Sequence, residues 1–493
     1  MTRAYPGYHR AAGVVAIASA VAGCTGKAPP ALTKPDHHEI PNVPVPPEHG
    51  PRLASIADRT AVRQRPDLAA AEIGYLHAGG RIARAEQPYS KQGCEGGWYP
   101  VRPAGFVCAG QGATTDLSHP TLAAMAIQPL LDQPLPYTYA RARASTPLYE
   151  RDPSRATAVR EAGRLKRRAG MAVVGSWTAA VPEGPNERLA LLTNGKFVKA
   201  SDLEALEPSS FAGVELTKER ALPVAFVVKR GVRSWNLDEA EATKSEELEY
   251  HQALDLTGRF RTLKGEKFWA TRDDRWVRHR DVTVVPERHR FPDFVQDGQK
   301  WVDVSIITGT LVAYEGKRPF FTSLVSVARG PEALGEAVSA EAALAGALPD
   351  AEKPKAGPDP FALGAFEVVA KHVTWVGADP FAAGESQELT DLPWVLELSS
   401  GRSVYAAYHH DRFGIDHGPG SVQISPRDAV RLFQWVTPTL PEGWHSKRRD
   451  ASRRRMDVRR RCFSPRGAGH RSFRRRSLST TGLEPGSSKA CAP

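Results

Sequence analysis

Five cysteines carry the widest range of chemistry in this chain, because a thiol can pair, bind metal, carry a lipid or attack a carbonyl. Cys94 and Cys108 flank two short strand-like runs, Trp98 to Val101 and Gly105 to Val107, joined by a Pro/Gly turn. In an oxidising compartment such a pair on facing strands forms a disulfide. Closing a loop of this size stabilises a domain by about 3 kcal/mol. A zinc site would need two further ligands that the neighbourhood lacks. His37, His38 and His49 have no Cys or carboxylate at ligand spacing and read as solvated linker residues. Cys462 and Cys491 have no recognisable spacing. No metal and no cofactor is expected.

The first residues decide which compartment those thiols meet. Arg3 and Arg10 precede a small-apolar run from Ala11 to Val21 that ends in Ala22-Gly23-Cys24. A basic start, a short apolar run and a small-residue cleavage site form the layout of a secretory signal over residues 1–23. Small residues directly before a cysteine resemble a bacterial lipobox, which implies cleavage before Cys24, diacylation of its thiol and attachment to a membrane. A plain signal peptide with a coincidental cysteine is the alternative. Residues 24–50 carry many prolines and no apolar period, as a tether would.

The elements that must hold any site follow from composition. The chain has 493 residues, 41% hydrophobic and 25% charged, which suits several globular domains and excludes wholesale disorder. No stretch approaches the ~18 apolar residues of a membrane-spanning helix, so a multi-pass membrane protein is excluded. The net charge of +11 is unevenly placed: residues 447–493 hold 15 Lys/Arg against 3 Asp/Glu, leaving 51 and 52 for residues 1–446. With a neutral body, nucleic acid is not an expected partner.

The pattern is mainly β. Residues 51–118 alternate apolar and polar positions in short runs broken by Gly and Pro, which predicts a small barrel. The run from Gly96 to Val101 followed by Gly105-Phe-Val-Cys108 resembles the bacterial Src-homology-three-like modules found beside cell-wall enzymes. Residues 119–290 are expected to hold one or two further small β modules. Thr193 to Leu203 and Asp274 to Val282 share a basic-aromatic-Val-basic core, each with an Asp and then an apolar residue four and five positions after the Val. Unrelated hairpins of similar composition are the alternative. Trp98, Tyr99 and Trp276 could stack on a sugar or peptide, though aromatics in hairpins more often fill cores.

From Trp301 the sequence alternates, turns at Thr308-Gly309 and Glu315 to Lys317, and runs on through Val327, as an antiparallel meander would. The Ala/Pro/Glu-rich residues 331–360 read as a surface insertion. Leu311 to Gly316, Leu363-Gly-x-Phe366, Leu392-Pro-Trp394, His410-Asp-x-Phe-Gly414 and Ser425-Pro-x-Asp-Ala429 with Leu432, Phe433 and Trp435 occur in the order seen in L,D-transpeptidases. Residues 300–446 therefore resemble their YkuD-type catalytic domain. That family cross-links peptidoglycan through a cysteine acyl-enzyme, so the resemblance implies a β-rich domain with a few helices, acting at peptidoglycan. Trp394, His409, His410, His417 and Gly420 would then line the substrate groove.

The chemistry of that resemblance is interrupted. Counting back from Ser425-Pro426, the family's Ser-His-Gly-Cys-Val-Asn falls on residues 418–423, with Pro419 at the histidine and Ser421 at the nucleophile. Counting back from His410, the upstream histidine falls on Tyr405. A serine hydroxyl needs a base more than a thiol does, and a tyrosine with a reference pKa of about 10 cannot serve as one without a large shift. Pro419 offers neither a side-chain donor nor an N–H. A two-residue shift would instead let His417, His409 or His410 act on Ser421, a pair without an evident third partner. An inactive envelope lipoprotein that binds or scaffolds peptidoglycan, a serine acyltransferase, and the product of a decayed or frameshifted gene are the three open readings.

Ser425 and Pro426 predict the start of a helix, with Ala429, Leu432, Phe433 and Val436 on its buried face. After Ser446 the arginine-rich residues 447–493 have too few apolar groups for a core and read as a disordered tail.

Overall fold

The computed structural model describes residues 40–182, 184–327, 364–378, 388–414 and 421–449. The fold is mainly β, built from several sheets with no closed barrel among the described residues. Cys24, His37, His38, the 331–360 segment, His417, Pro419, Gly420, Cys462 and Cys491 lie outside the described residues. No helix among the described residues is long and apolar enough to cross a membrane.

The first module holds β1 (Arg52–Ser55), β2 (Thr60–Arg63), β3 (Glu72–Leu76), β4 (Arg81–Ala83), β5 (Trp98–Pro100), β6 (Phe106–Cys108) and β7 (Ala113–Thr114). Cys94 and Cys108 are joined by a disulfide with Cα atoms 5.8 Å apart. They pack with Trp98 and Phe106, and Val43 from the preceding segment closes this cluster. Trp98 is a core residue rather than an exposed platform.

Two seven-stranded sheets follow. One contains β8 (Thr138–Ala142), β9 (Thr146–Arg151), β10 (Val159–Leu165), β11 (Gly170–Ala180), β12 (Asn186–Leu192), β13 (Phe197–Lys199) and β14 (Leu203–Ala205). A connecting segment then contributes β15 (Val214–Glu215). The other sheet contains β16 (Val224–Val227), β17 (Val232–Leu237), β18 (Ala242–Leu248), β19 (Ala253–Leu263), β20 (Glu266–Thr271), β21 (Trp276–Arg278) and β22 (Val282–Val285). Strand for strand, the orders are the same: β10-β9-β13-β12-β11-β8-β14 and β18-β17-β21-β20-β19-β16-β22. The two basic-aromatic-Val-basic segments form β13 and β21, each followed by a 3₁₀ turn, Ala200–Asp202 or His279–Asp281, and then by the last strand. The sequence repeat thus coincides with a repeat of topology. Charged side chains along β18 (Lys244, Glu246, Glu247) and β10 (Arg160, Glu161, Arg164) protect each exposed edge from pairing with another chain.

The last region contains β23 (Lys300–Ser305), β24 (Thr310–Glu315), β25 (Arg318–Ser326), β26 (Val368–Ala378), β27 (Thr390–Leu398), β28 (Ser403–Ala406), β29 (Val422–Ile424) and β30 (Ser446–Arg448). β23 to β25 pair antiparallel in sequence, the meander that the alternation predicts. β28 and β29 pair in parallel, so the chain leaving β28 through residues 407–414 begins a crossover. The helix Pro426–Trp435 begins with Pro426 at its first turn, and the Ser425 hydroxyl accepts the Asp428 N–H at 3.2 Å. Its apolar face covers Val404, Ala406, Val422, Ile424 and Trp394.

The expected start of the tail moves. Lys447 and Arg448 lie in β30, which pairs with β26 on one side and β3 on the other, so ordered structure runs to Arg449. Basic residues enter a sheet here because their partners are acids: Arg448 reaches both Glu397 carboxylate oxygens, at 3.2 and 2.9 Å, and Arg449 pairs with Glu367 at 3.1 Å. Composition alone hides such pairings, since they depend on strands fifty or more residues away.

Candidate functional site

The parallel pair β28–β29 sorts its residues by face. Val404, Ala406, Val422 and Ile424 point to the core beneath the helix. Ser403, Tyr405 and Gln423 alternate with them, and Ser421 stands one residue before β29. All four are buried, with Ser421 only 1% exposed.

Ser421 meets another hydroxyl. Its Oγ lies 3.3 Å from Ser403 Oγ, and this serine pair is shut inside the sheet. A nucleophilic serine needs a base within about 3 Å and an open approach for the acyl donor. Tyr405 packs at 2% exposure among Tyr139, Leu392, Val395 and Tyr408, in a cluster contributed partly by the first repeat.

His410 reaches the site but is committed elsewhere. Its Nδ1 accepts the Arg412 N–H at 3.0 Å, which leaves the proton on Nε2 to donate to Gln423 Oε1. Both ring nitrogens are therefore engaged in holding the crossover against β29. His409 meets the His410 ring edge-to-face with centroids 4.7 Å apart. Both imidazoles are half-buried.

Trp394 lies in the core rather than along a groove. It is 1% exposed, its ring sits 5.1 Å from Phe433, and its indole N–H donates to Pro134 O at 2.7 Å. The structure therefore brings together Ser421 with Ser403 and His410 with Gln423, and sets Trp394 apart from them. Among the described residues no group of three His, Cys, Asp or Glu side chains is placed to hold a metal.

Several supporting residues escape sequence reasoning. Asp428 accepts the Gly213 N–H at 2.9 Å and the Ser323 hydroxyl, tying the linker before the second repeat to the helix start. Burial raises its pKa to about 6, against the pull of those hydrogen bonds. The Ser425-x-x-Asp428 spacing resembles a capping pair and could have flagged it. The second repeat braces the crossover: the Tyr250 hydroxyl donates to Asp411 O at 3.4 Å, and His251 Nδ1 lies 3.8 Å from the Asp411 carboxylate. Nothing local in the sequence announces that contact.

Neither a known protein family nor any curated protein matches this chain.

Proposed function

We propose that this chain is an envelope lipoprotein related to the L,D-transpeptidases, anchored through Cys24 and facing the periplasm, that binds or scaffolds peptidoglycan without transferring acyl groups. The ordered motifs from Leu311 to Trp435 support the relationship. The observation that carries the inactive reading is the Ser421–Ser403 pair, two buried hydroxyls in contact at the position of the family's nucleophile. The engagement of both His410 nitrogens supports the same reading.

Intact-protein mass spectrometry after carbapenem exposure tests it, because such compounds trap an active acyl-transfer nucleophile in this family. The expected result is no adduct, together with retention of the protein on purified sacculi. An adduct on Ser421 would make the chain a serine acyltransferase. Absence of sacculus binding would remove the scaffold role. Ser421→Cys alone is expected to stay unreactive, because Tyr405 and Pro419 stand where histidines are needed. Loss of fatty-acid labelling in Cys24→Ala is the expected result for the anchor.

A further inference from the structure

The internal repeat supplies its own control. The turn Lys166 to Ala169 and the turn Glu249 to Gln252 occupy the same place, between the third and fourth strands of their sheets. Their hydrogen bonds match one for one. Ala169 N donates to Lys166 O at 3.1 Å and Gln252 N to Glu249 O at 3.1 Å, while Arg168 N donates to Ala142 O and His251 N to Val227 O, both at 2.8 Å. Arg168 and His251 share the left-handed backbone, with φ of 67° and 69°.

In the second repeat this face is an interface. Phe226 and Val228 pack with Phe211 and Phe413, and Tyr250 and His251 close over Asp411. The pairing of the first strand with the last aligns Arg141 with Phe226 and Ala142 with Val227, placing Arg143 opposite Val228. The turns align Arg167 with Tyr250 and Arg168 with His251. So the positions by which one repeat docks are arginines in the other, and Arg143, Lys166, Arg167 and Arg168 are exposed. Glu204 stands among them: it takes a two-pronged contact from Arg141, at 2.9 and 3.1 Å, which holds its pKa down, with Arg143 and Arg168 adding to the effect.

We infer that this arginine face of the first repeat is a docking surface for a soluble polymer bearing phosphate groups. A face built for docking whose apolar contacts are exchanged for guanidinium groups calls for an anionic partner. Guanidinium forks suit phosphate, which carries more charge and more acceptor oxygens than the carboxylate already seated at Arg141. A lipid surface fits less well, since no large hydrophobic side chain of the first repeat is exposed for insertion. The inference stands apart from the peptidoglycan reading.

The test uses the full-length chain and long-chain polyphosphate at physiological salt. Acetylation of Lys166 by an amine-reactive ester, read by peptide mass spectrometry, reports occupancy at the turn itself. The expected result is roughly tenfold slower acetylation of Lys166, relieved by raised salt. Polyglutamate and phosphatidylglycerol vesicles should leave Lys166 reactive. In Arg143→Gln/Arg167→Gln the protection should vanish while thermal unfolding changes little, because both side chains are exposed and only the surface bond from Arg143 to Leu203 O is lost. An unprotected Lys166 beside a protected Lys489 would overturn the inference, placing the polymer on the arginine-rich C-terminal residues. Equal protection by polyglutamate or by vesicles would overturn the phosphate-polymer assignment.

Discussion

At the scale of single residues, energies are set by whether a buried polar group keeps a partner. Removing either member of the Ser403–Ser421 pair leaves a buried hydroxyl without this contact, a loss of about 1 kcal/mol. A double-mutant cycle with Ser403→Ala and Ser421→Ala, read by denaturant unfolding, should return a coupling of that order. A coupling near zero would show that the hydroxyls do not interact. Trp394→Ala removes a filled core volume and the bond to Pro134 O. It should cost about 3–5 kcal/mol, far more than a residue lining an open groove would.

At the scale of elements, β30 decides how the two ends of the ordered chain hold together. It lies between β26 and β3, so the first module and the last region share one sheet across it. Truncation after Ser446 should therefore lower the thermal midpoint and expose Glu397, which loses its ion pair with Arg448 and keeps the His372 contact at 3.2 Å. Truncation after Arg449 keeps those contacts and serves as the comparison. Similar melting of the two truncations would show that β30 adds nothing. The helix Pro426–Trp435 is secured at both ends: the Ser425 cap holds its start, and Lys300 and Lys371 donate to the Trp435 and Val436 carbonyls at 3.2 and 2.8 Å. Ser425→Ala should cost about 1 kcal/mol.

At the scale of the whole molecule, a buried histidine network at the junction makes stability depend on pH. His445 Nε2 accepts the Thr374 N–H at 3.2 Å, so a proton on that nitrogen would face another N–H. The His77 ring lies 4.8 Å away, paired with Asp58, and Tyr75, Tyr137 and His372 close the remaining sides. Burial drives the His445 pKa well below its usual value, with His77 and His372 adding repulsion, and burial also lowers that of His372 despite Glu397. Depressed histidine pKa values give stability that is complete above the unfolded value of about 6.5 and is lost as pH falls below it. The thermal midpoint should thus fall between pH 7.5 and pH 6, and His445→Gln should flatten that fall. Asp428 works in the opposite direction, taking up its proton in the folded state from about pH 6 downward. Asp428→Asn should therefore steepen the loss in more acidic solution, and an unchanged profile in both variants would refute this account.

Local rules determined much of this protein by themselves. The β class, the disulfide spacing, the meander after Trp301 and the Ser425-Pro426 helix start all rest on alternation, turn residues and caps, which act within a few positions. The shared Asp-containing segments likewise marked β13 and β21, because a repeated local signal carries a repeated local structure. Only tertiary structure decided the surroundings of Ser421, since Ser403 joins it through a parallel pairing across eighteen residues. The same holds for Trp394, read as a groove wall until Pro134 and Phe433 are placed against it, and for Lys447 and Arg448, which enter a sheet through partners supplied by distant strands. Burial and pairing are properties of contacts between remote segments, and no single stretch of sequence encodes both partners.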